Sequence, residues 1–346
     1  MSDVVISSRA RLARNLAGYP FITRADRADR LRVFKICKDW IPKSHVAAET
    51  SILELHSMSA QERMLLVERH AISKPLAKGK AYVGEVQEPK EISQSDPRGL
   101  AVALDQSGLS VMINEEDHLR MQVIRPGLNL SAAWDAVNRA DDQIEAGLDY
   151  AFHQDYGYLT ACPTNVGTGL RLSCMLHLPA LKVVGEMEKV KSAANDMSLA
   201  VRGFYGEGSE SVGDLYQISN QTALGKTESQ ILNTLLEEII PRVIDYERVA
   251  RKTLLSKRKI FIEDQVKRAL GILTHAQLLG TEESMQLISQ VRLGVSLGLI
   301  DHVSIESVSS LFLLVQPAHL QKIVGQEMDQ DGRKEARATL VRQKLR

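Results

Sequence analysis

From Thr227 onward the chain changes character. Glycine thins out, and apolar residues recur at helical spacing through 227–257, 260–279, 282–297, 304–315 and 331–345. Pro241 lacks a backbone N–H and is expected to kink or restart the first of these segments. The pattern predicts an all-helical module over 255–346 behind an α+β domain over 1–254. Upstream, 26–41, 59–72, 131–147 and 179–201 carry helical spacing. Residues 100–113 read instead as two β-rich runs folded about Asp105-Gln-Ser-Gly108, an antiparallel hairpin. Its second strand leads straight into Asn114-Glu-Glu-Asp-His118, which places those carboxylates at a strand end.

Composition narrows the partners. Lys+Arg and Asp+Glu both number 43 in 346 residues, so net charge gives no reason to expect nucleic acid or a membrane surface as partner. Any anion site has to come from a local grouping of arginines. Cys37, Cys162 and Cys174 are too few and too scattered for a disulfide framework or a zinc site, which points to a reduced, cytoplasmic setting. The arginine-bearing N-terminus lacks the apolar core of a secretory signal, and no apolar run approaches the ~18 residues of a membrane span.

Four clusters carry chemistry-bearing residue types. Ser7-Ser-Arg-Ala-Arg11, followed by Arg14, would put Arg9 and Arg11 on one face of an extended segment, able to grip phosphate oxygens. By itself the plainer reading is a solvated basic terminus. In Asn114-Glu115-Glu116-Asp117-His118-Leu119-Arg120 adjacent carboxylates perturb one another's protonation, which is useful for handling protons; a solvated turn is the plainer reading. One histidine among flexible acids is poor ground for a metal site. In Cys162-Pro-Thr-Asn-Val-Gly-Thr-Gly-Leu-Arg171, Gly167 and Gly169 permit close backbone approach to an anion and Arg171 adds charge, although no Walker lysine follows. Finally, 201–210 (VRGFYGEGSE) sets Tyr205 and Glu207 among glycines, either a lid or an ordinary connection.

SSRARLAR, NEEDHLR, CPTNVGTGLR and VRGFYGEGSE, in that order within residues 4–230, together resemble the phosphagen (guanidino) kinase family. The resemblance implies a catalytic domain built on an antiparallel sheet flanked by helices. It matches Arg9, Arg11, Arg120, Arg171 and Arg202 to the arginines that cradle the phosphates of ATP, with Mg²⁺ held mainly by those phosphates. Glu116 matches the catalytic carboxylate and Glu207 its loop-borne partner. Cys162 matches the reactive cysteine beside the acceptor guanidinium, where neighbouring arginines favour a thiolate that positions the acceptor without carrying phosphate.

Kinases of free arginine or creatine carry a helical domain ahead of these motifs. Here the first motif begins at Ser7 and a helical extension follows the last, a combination that resembles the bacterial protein arginine kinases of the McsB type. That branch implies phosphorylation of arginine side chains in proteins, and a C-terminal domain that recognises phosphoarginine through Arg-Asp-x-x-Arg-Ala. The matching stretch is Arg333-Lys-Glu-Ala-Arg337-Ala338, with Lys334 in place of the acid; a basic amphipathic terminal helix is the alternative. The branch also implies a homodimer, autophosphorylation, marking of proteins for Clp-type proteolysis in stress, and as partners a heat-shock repressor, the Clp chaperone-protease and a zinc-containing activator. A kinase of a small guanidino compound and a non-catalytic phosphoarginine-binding adaptor are the competing readings. Retention of the whole set of site residues stands against the adaptor.

Overall fold

A computed structural model describes residues 3–81, 90–91, 96–105, 107–204 and 212–345. In chain order the elements are β1 (Val5–Arg14), α1 (Arg27–Trp40), β2 (Thr50–Glu54), α2 (Ala60–Glu68), α3 (Lys74–Lys78), β3 (Lys80–Ala81), β4 (Lys90–Glu91), β5 (Gly99–Ala103), β6 (Leu109–Ile113), β7 (Leu119–Pro126) and α4 (Leu130–Glu145). They continue with β8 (Phe152–His153), β9 (Gly157–Tyr158), β10 (Leu170–His177), α5 (Pro179–Val183), α6 (Met187–Asp196), β11 (Leu199–Arg202), β12 (Leu215–Asn220) and α7 (Glu228–Asn233). Six helices close the chain: α8 (Ile240–Lys257), α9 (Lys259–His275), α10 (Thr281–Ser296), α11 (Ile305–Leu314), α12 (Pro317–Val324) and α13 (Gln330–Lys344). The α+β expectation holds: eight strands form an antiparallel sheet in the order β11-β12-β10-β1-β7-β6-β5-β2, with flanking helices and a helical C-terminal region.

The chain divides into two compact units, Ser7–Cys174 with Ser219–Glu238, and Met1–Ile6 with Met175–Ile218 and Ile239–Arg346. In the first unit, strand alternation separates an oily face from a charged one. Register pairs Leu12 with Met121, Ala10 with Val123 and Arg14 with Leu119, so these six side chains share a face. Helix α4 covers it, burying Leu130, Ala133, Val137 and Ile144 completely. Each leucine, isoleucine or valine so buried contributes about 1.5–3 kcal/mol. The same register pairs Arg9 with Ile124, Arg11 with Gln122 and Ala13 with Arg120, and turns these toward the opposite face. At the β5–β6 edge, Leu55, Val67, Ile72, Leu76, Leu100 and Met112 form a second core under α2 and α3. Asp26 and Ser59 start α1 and α2 with reciprocal capping boxes to Asp29 and Glu62.

In the second unit, α8–α13 form the helical region. Two expectations are corrected. The stretch 179–201 is α5, α6 and β11: Gly185 at φ +77° ends the first helix, and the chain turns extended at Leu199. The helix expected to begin near 304 is followed by an unforeseen one, because Pro317 cannot continue α11 but fits the first turn of α12. Pro241 restarts the helical segment as expected: it sits in the first turn of α8, preceded by a π-helical turn over Thr234–Ile239. No helix among the described residues is long and apolar enough to cross a membrane.

Candidate active site

The charged face of the first unit gathers four of the five arginines matched to phosphate. Arg9 and Arg11 come from β1, Arg120 from β7 and Arg171 from the start of β10. Burial, and then the charges of Arg9, Arg120 and Arg171, hold the Arg11 guanidinium well below its ordinary proton affinity. The Nε of Arg11 is buried with no hydrogen-bond partner among the described residues. A donor left in that state costs about 1–3 kcal/mol, and like charges gathered around it ask for an anion. Phosphate oxygens would satisfy both, so the residues present fit a polyphosphate group. Arg9 donates from Nε to Ser173 Oγ at 3.4 Å, and Arg171 from Nη2 to the Gln221 carbonyl at 3.5 Å.

The Asn114–His118 turn sorts its acids by burial. Asn114 takes φ +59° and is locked by Nδ2 donation to the carbonyls of Arg30 and Pro97. Glu115 is buried and saturated: it accepts from Ser73 Oγ at 2.6 Å and the Glu116 N–H at 2.9 Å, and pairs with Arg120 at 2.8 Å. Burial would raise its pKa, but Arg120 and Ser73 outweigh that and hold it below the usual range. Asp117 is fully buried. Desolvation and the neighbouring Glu116 charge push it up to about 7, although Oδ1 accepts from Asn15 Nδ2 at 2.6 Å and the Ala161 N–H at 2.7 Å. Of the three acids only the Glu116 side chain keeps some accessibility, at 14%. It pairs with Arg120 Nη2 at 2.8 Å. Burial would lower the Arg120 pKa, yet Glu115 and Glu116 more than reverse this.

His118 is scaffold. Its Nδ1 accepts from the Leu16 N–H at 2.9 Å and its Nε2 lies 3.1 Å from the Pro20 carbonyl, which assigns the proton to Nε2. Burial lowers its pKa to about 4. Among the described residues no group of three or more His, Cys, Asp or Glu is arranged to hold a metal.

Asp117 is also the strut that brings the cysteine segment in. By accepting from Ala161, it fixes the chain one residue before Cys162 against the acidic turn. Cys162 is partly accessible, with Sγ 3.0 Å from Thr164 Oγ1, and lies within electrostatic reach of Arg120. Cys37 and Cys174 are buried, and burial pushes both thiols up to about 12. A Cβ on Gly167 would lie 2.9 Å from Leu224 Cα, and one on Gly169 2.6 Å from the Ala13 carbonyl, so Gly167 lets the backbone press on Ala223–Leu224 and Gly169 seats the segment on β1. The Gly169 carbonyl accepts from the Ala13 N–H.

The other expected site residues lie elsewhere. Arg202 ends β11 in the second unit, partly buried. Glu207 and Tyr205 fall outside the described residues. Arg333 and Arg337 stand one turn apart on α13. Arg337 is buried, donating to the carbonyls of Val315 at 2.7 Å and Leu279 at 2.8 Å, which binds α13 to its neighbours; Arg333 is partly accessible and donates to the Met328 carbonyl. Lys334 pairs with Asp331 at 2.9 Å.

Three contributors had no sequence signal: Ser73, Asn15 and His70. Gln122 on the arginine face holds the His70 carbonyl at 2.7 Å, in a turn where His70 takes φ +56°. Burial and the charges of Arg9 and Lys74 lower its imidazole to about 3, so it stays neutral beside the cluster. Its non-glycine left-handed backbone is visible only in three dimensions.

Converging guanidiniums on an antiparallel sheet, with a partly accessible carboxylate and a partly accessible thiol, define a phosphotransferase site for a guanidino acceptor. The sequence profile described as ATP:guanido phosphotransferase, C-terminal catalytic domain, matches residues 32–250, and that of the protein-arginine kinase McsB C-terminal domain matches 259–346. A protein-arginine kinase of Halothermothrix orenii is 44% identical over 343 residues, covering 99% of this chain and 93% of the relative. One from Caldanaerobacter subterraneus is 41% identical over 345 residues, covering 99% and 97%. The chain belongs to the ATP:guanido phosphotransferase family and, within it, groups with the McsB-type protein-arginine kinases. Among solved structures, lombricine kinase matches with a TM-score of 0.58 and 26% identity, over 72% of this chain and 67% of the other. The duplicated taurocyamine kinase of Schistosoma mansoni, solved with transition-state analogue components, matches at 0.59 and 25% over 72% of this chain, which spans 33% of that duplicated one.

Proposed function

We propose that this chain transfers the γ-phosphoryl group of ATP directly to the guanidinium of arginine side chains in proteins. The observation that carries the reading is Glu116: one partly accessible carboxylate, ion-paired to Arg120, in a guanidinium cluster suited to polyphosphate. Arg9, Arg11, Arg120 and Arg171, joined by Arg202, hold the phosphates and neutralise charge developing on the transferring group, which is the main demand of a loose transition state. Mg²⁺ is carried by the phosphates themselves. Glu116 holds the acceptor guanidinium, orients one nitrogen toward phosphorus and takes the proton that nitrogen loses as the N–P bond forms and ADP departs. A guanidinium with a pKa above ~12 needs such a base. Glu207 holds its other edge, and Cys162 positions it without becoming phosphorylated.

Glu116 is paired with Arg120 here. An acceptor arginine therefore enters by exchange, taking the carboxylate while the Arg120 fork moves to phosphate. We further propose, on the same family footing, that the enzyme is cytoplasmic and homodimeric. Its products are substrates for Clp-type proteolysis; a heat-shock repressor, the Clp chaperone-protease and a zinc-containing activator are its partners. Arg333 and Arg337 serve phosphoarginine recognition. The test is mass spectrometry of a folded protein substrate and of free arginine after incubation with Mg²⁺–ATP, using wild type and Glu116→Gln. Phosphoarginine in the protein, falling by ~10²-fold or more in the variant, is expected. An undiminished Glu116→Gln rate, or phosphate on free arginine alone, would overturn the assignment.

A further inference from the structure

The second compact unit contains a hydrogen-bonded relay that ends at the start of β12, the strand facing Arg202-bearing β11 across a connection that also carries Glu207. Every donor in it has one consistent direction. Arg292 on α10 is 1% exposed; it donates to the Asp3 carbonyl at 2.9 Å, to Ser309 Oγ on α11 at 2.9 Å and to His177 Nδ1 at 2.8 Å. His177 is completely buried at the end of β10, so with Nδ1 accepting, its proton sits on Nε2 and is given to Ser289 Oγ at 2.9 Å. The Ser289 hydroxyl in turn donates to Asp214 Oδ2 at 2.6 Å. Burial, with Arg292 and Arg251 adding like charge, keeps His177 neutral, as this chain of donors requires.

Asp214 is the receiving end, and its backbone is unusual. It takes φ +54° directly after Gly213 at φ +66°, two left-handed residues in succession, one of them not glycine. The arrangement is held from three sides. Lys182 on α5 pairs with Asp214 Oδ1 at 2.6 Å, Ser289 holds Oδ2, and the Leu178 N–H binds the Asp214 carbonyl at 2.9 Å. Gly213 is pressed on α10 and α11: a Cβ there would lie 3.0 Å from both the Met285 carbonyl and the Phe312 ring. The helical C-terminal region thus grips the residue pair at which the β11–β12 connection rejoins the sheet.

We infer that Asp214 is a positioning residue for phosphoryl transfer, and that Ser289, His177 and Arg292 make the placement of the β11–β12 pair depend on the C-terminal helices. The catalytic part of this inference rests on the function proposed above; the mechanical part does not. Removing the relay leaves Asp214 with fewer anchors in a strained conformation, so β12 and its neighbour β11, which carries Arg202, are placed less firmly and the transition state is held less well, while nucleotide contacts on the other arginines persist.

The test uses the full chain with Ser289→Ala, Ser289→Thr and, because Lys182 is 44% exposed and tolerates replacement, Lys182→Met. Ser289→Ala and Lys182→Met are expected to lower kcat on the order of 10-fold with KM for ATP nearly unchanged, and Ser289→Thr, which keeps the hydroxyl, to recover most of it. Amide hydrogen exchange over 212–216 is expected to quicken in Ser289→Ala and Lys182→Met and not in Ser289→Thr. Wild-type kcat and wild-type exchange in folded Ser289→Ala and Lys182→Met would overturn the inference. Quickened exchange in Ser289→Ala and Lys182→Met, beside a wild type that makes no phosphoarginine, would keep the mechanical coupling and reject the kinase reading instead. Equal losses in kcat and KM effects for both serine variants would reduce Ser289 to a packing role and also overturn it.

Discussion

Arg11 and Arg14 lie three positions apart on one strand and live in opposite electrostatic worlds. Arg14 points to the oily face, where Asp141 takes Nη2 at 2.6 Å and Nε at 3.1 Å, and its guanidinium stacks 3.5 Å over the Tyr158 ring. Two further donors reach the Ala13 and Thr168 carbonyls. Arg11 faces three other arginines and keeps a buried Nε without a partner. An arginine whose charge is complemented within the fold is a structural member. One whose surroundings repel it is held ready for something brought from outside. Sequence alone gives SSRARLAR with three equivalent-looking arginines; strand parity and register divide them.

That contrast yields predictions in descending size. Arg11→Ala is expected to lower phosphoryl transfer by ~10²–10³-fold, in the range of losing one preorganised charge donor, with unchanged or slightly raised thermal stability because like-charge crowding is relieved. Steady-state kinetics and a melting curve check both halves; a large loss of stability would erase the distinction from Arg14. Arg14→Ala is expected to do the reverse and destabilise by about 3–5 kcal/mol, leaving Asp141 buried and uncompensated. Denaturant unfolding measures this, and replacing Arg14 and Asp141 together by apolar residues should recover part of it.

The third prediction concerns pH, where neighbours on one turn oppose each other. His118 has an ordinary pKa of 6.5 and a folded value of about 4. Its contribution is fully present above pH 6.5 and is lost as pH falls toward 4, where the unfolded chain binds a proton that the fold refuses. Asp117 has an ordinary value of 3.8 and a folded value of about 7, so it adds stability as pH falls through 7 toward 3.8. Asp117→Asn removes only the second effect. Melting temperatures from pH 7.5 to 4 should therefore drop more steeply in Asp117→Asn than in wild type; parallel curves would mean that Asp117 does not take up a proton in this range. The smallest effect is chemical. Iodoacetamide at pH 8 should label Cys162 well before Cys37 and Cys174, whose thiols are buried and held near 12, and bound substrate should slow it. Even labelling of the three would contradict that placement.

Much of this was readable in advance because the period of the sequence and the period of the structure coincide. The hairpin about Asp105–Gly108 and helices α1, α4, α9, α10 and α13 follow directly from alternation and helical spacing. What escaped depended on contacts made across the chain. Nothing near Ser73 announces that it holds Glu115, and Asp117 looks like a third active-site acid until Asn15 and Ala161 are seen to occupy it. Gly167 and Gly169 mark close backbone approach in the sequence, but not its partners, Ala223–Leu224 and Ala13. Gly185 and Pro317 break the helices by local chemistry that is visible in the sequence, a left-handed glycine and a proline without an N–H.

The pairing of β1 with β7 has a consequence for how such an enzyme can vary. Core and catalytic face are two readings of the same alternation, set by one register. A single residue inserted or deleted within Ser7–Arg14 would move guanidiniums under α4 and leucines into the phosphate site at once. Point substitutions can tune either face separately, but length changes here cannot be graded: the strand is a two-sided key whose teeth share a spacing, and shifting it one notch opens neither lock.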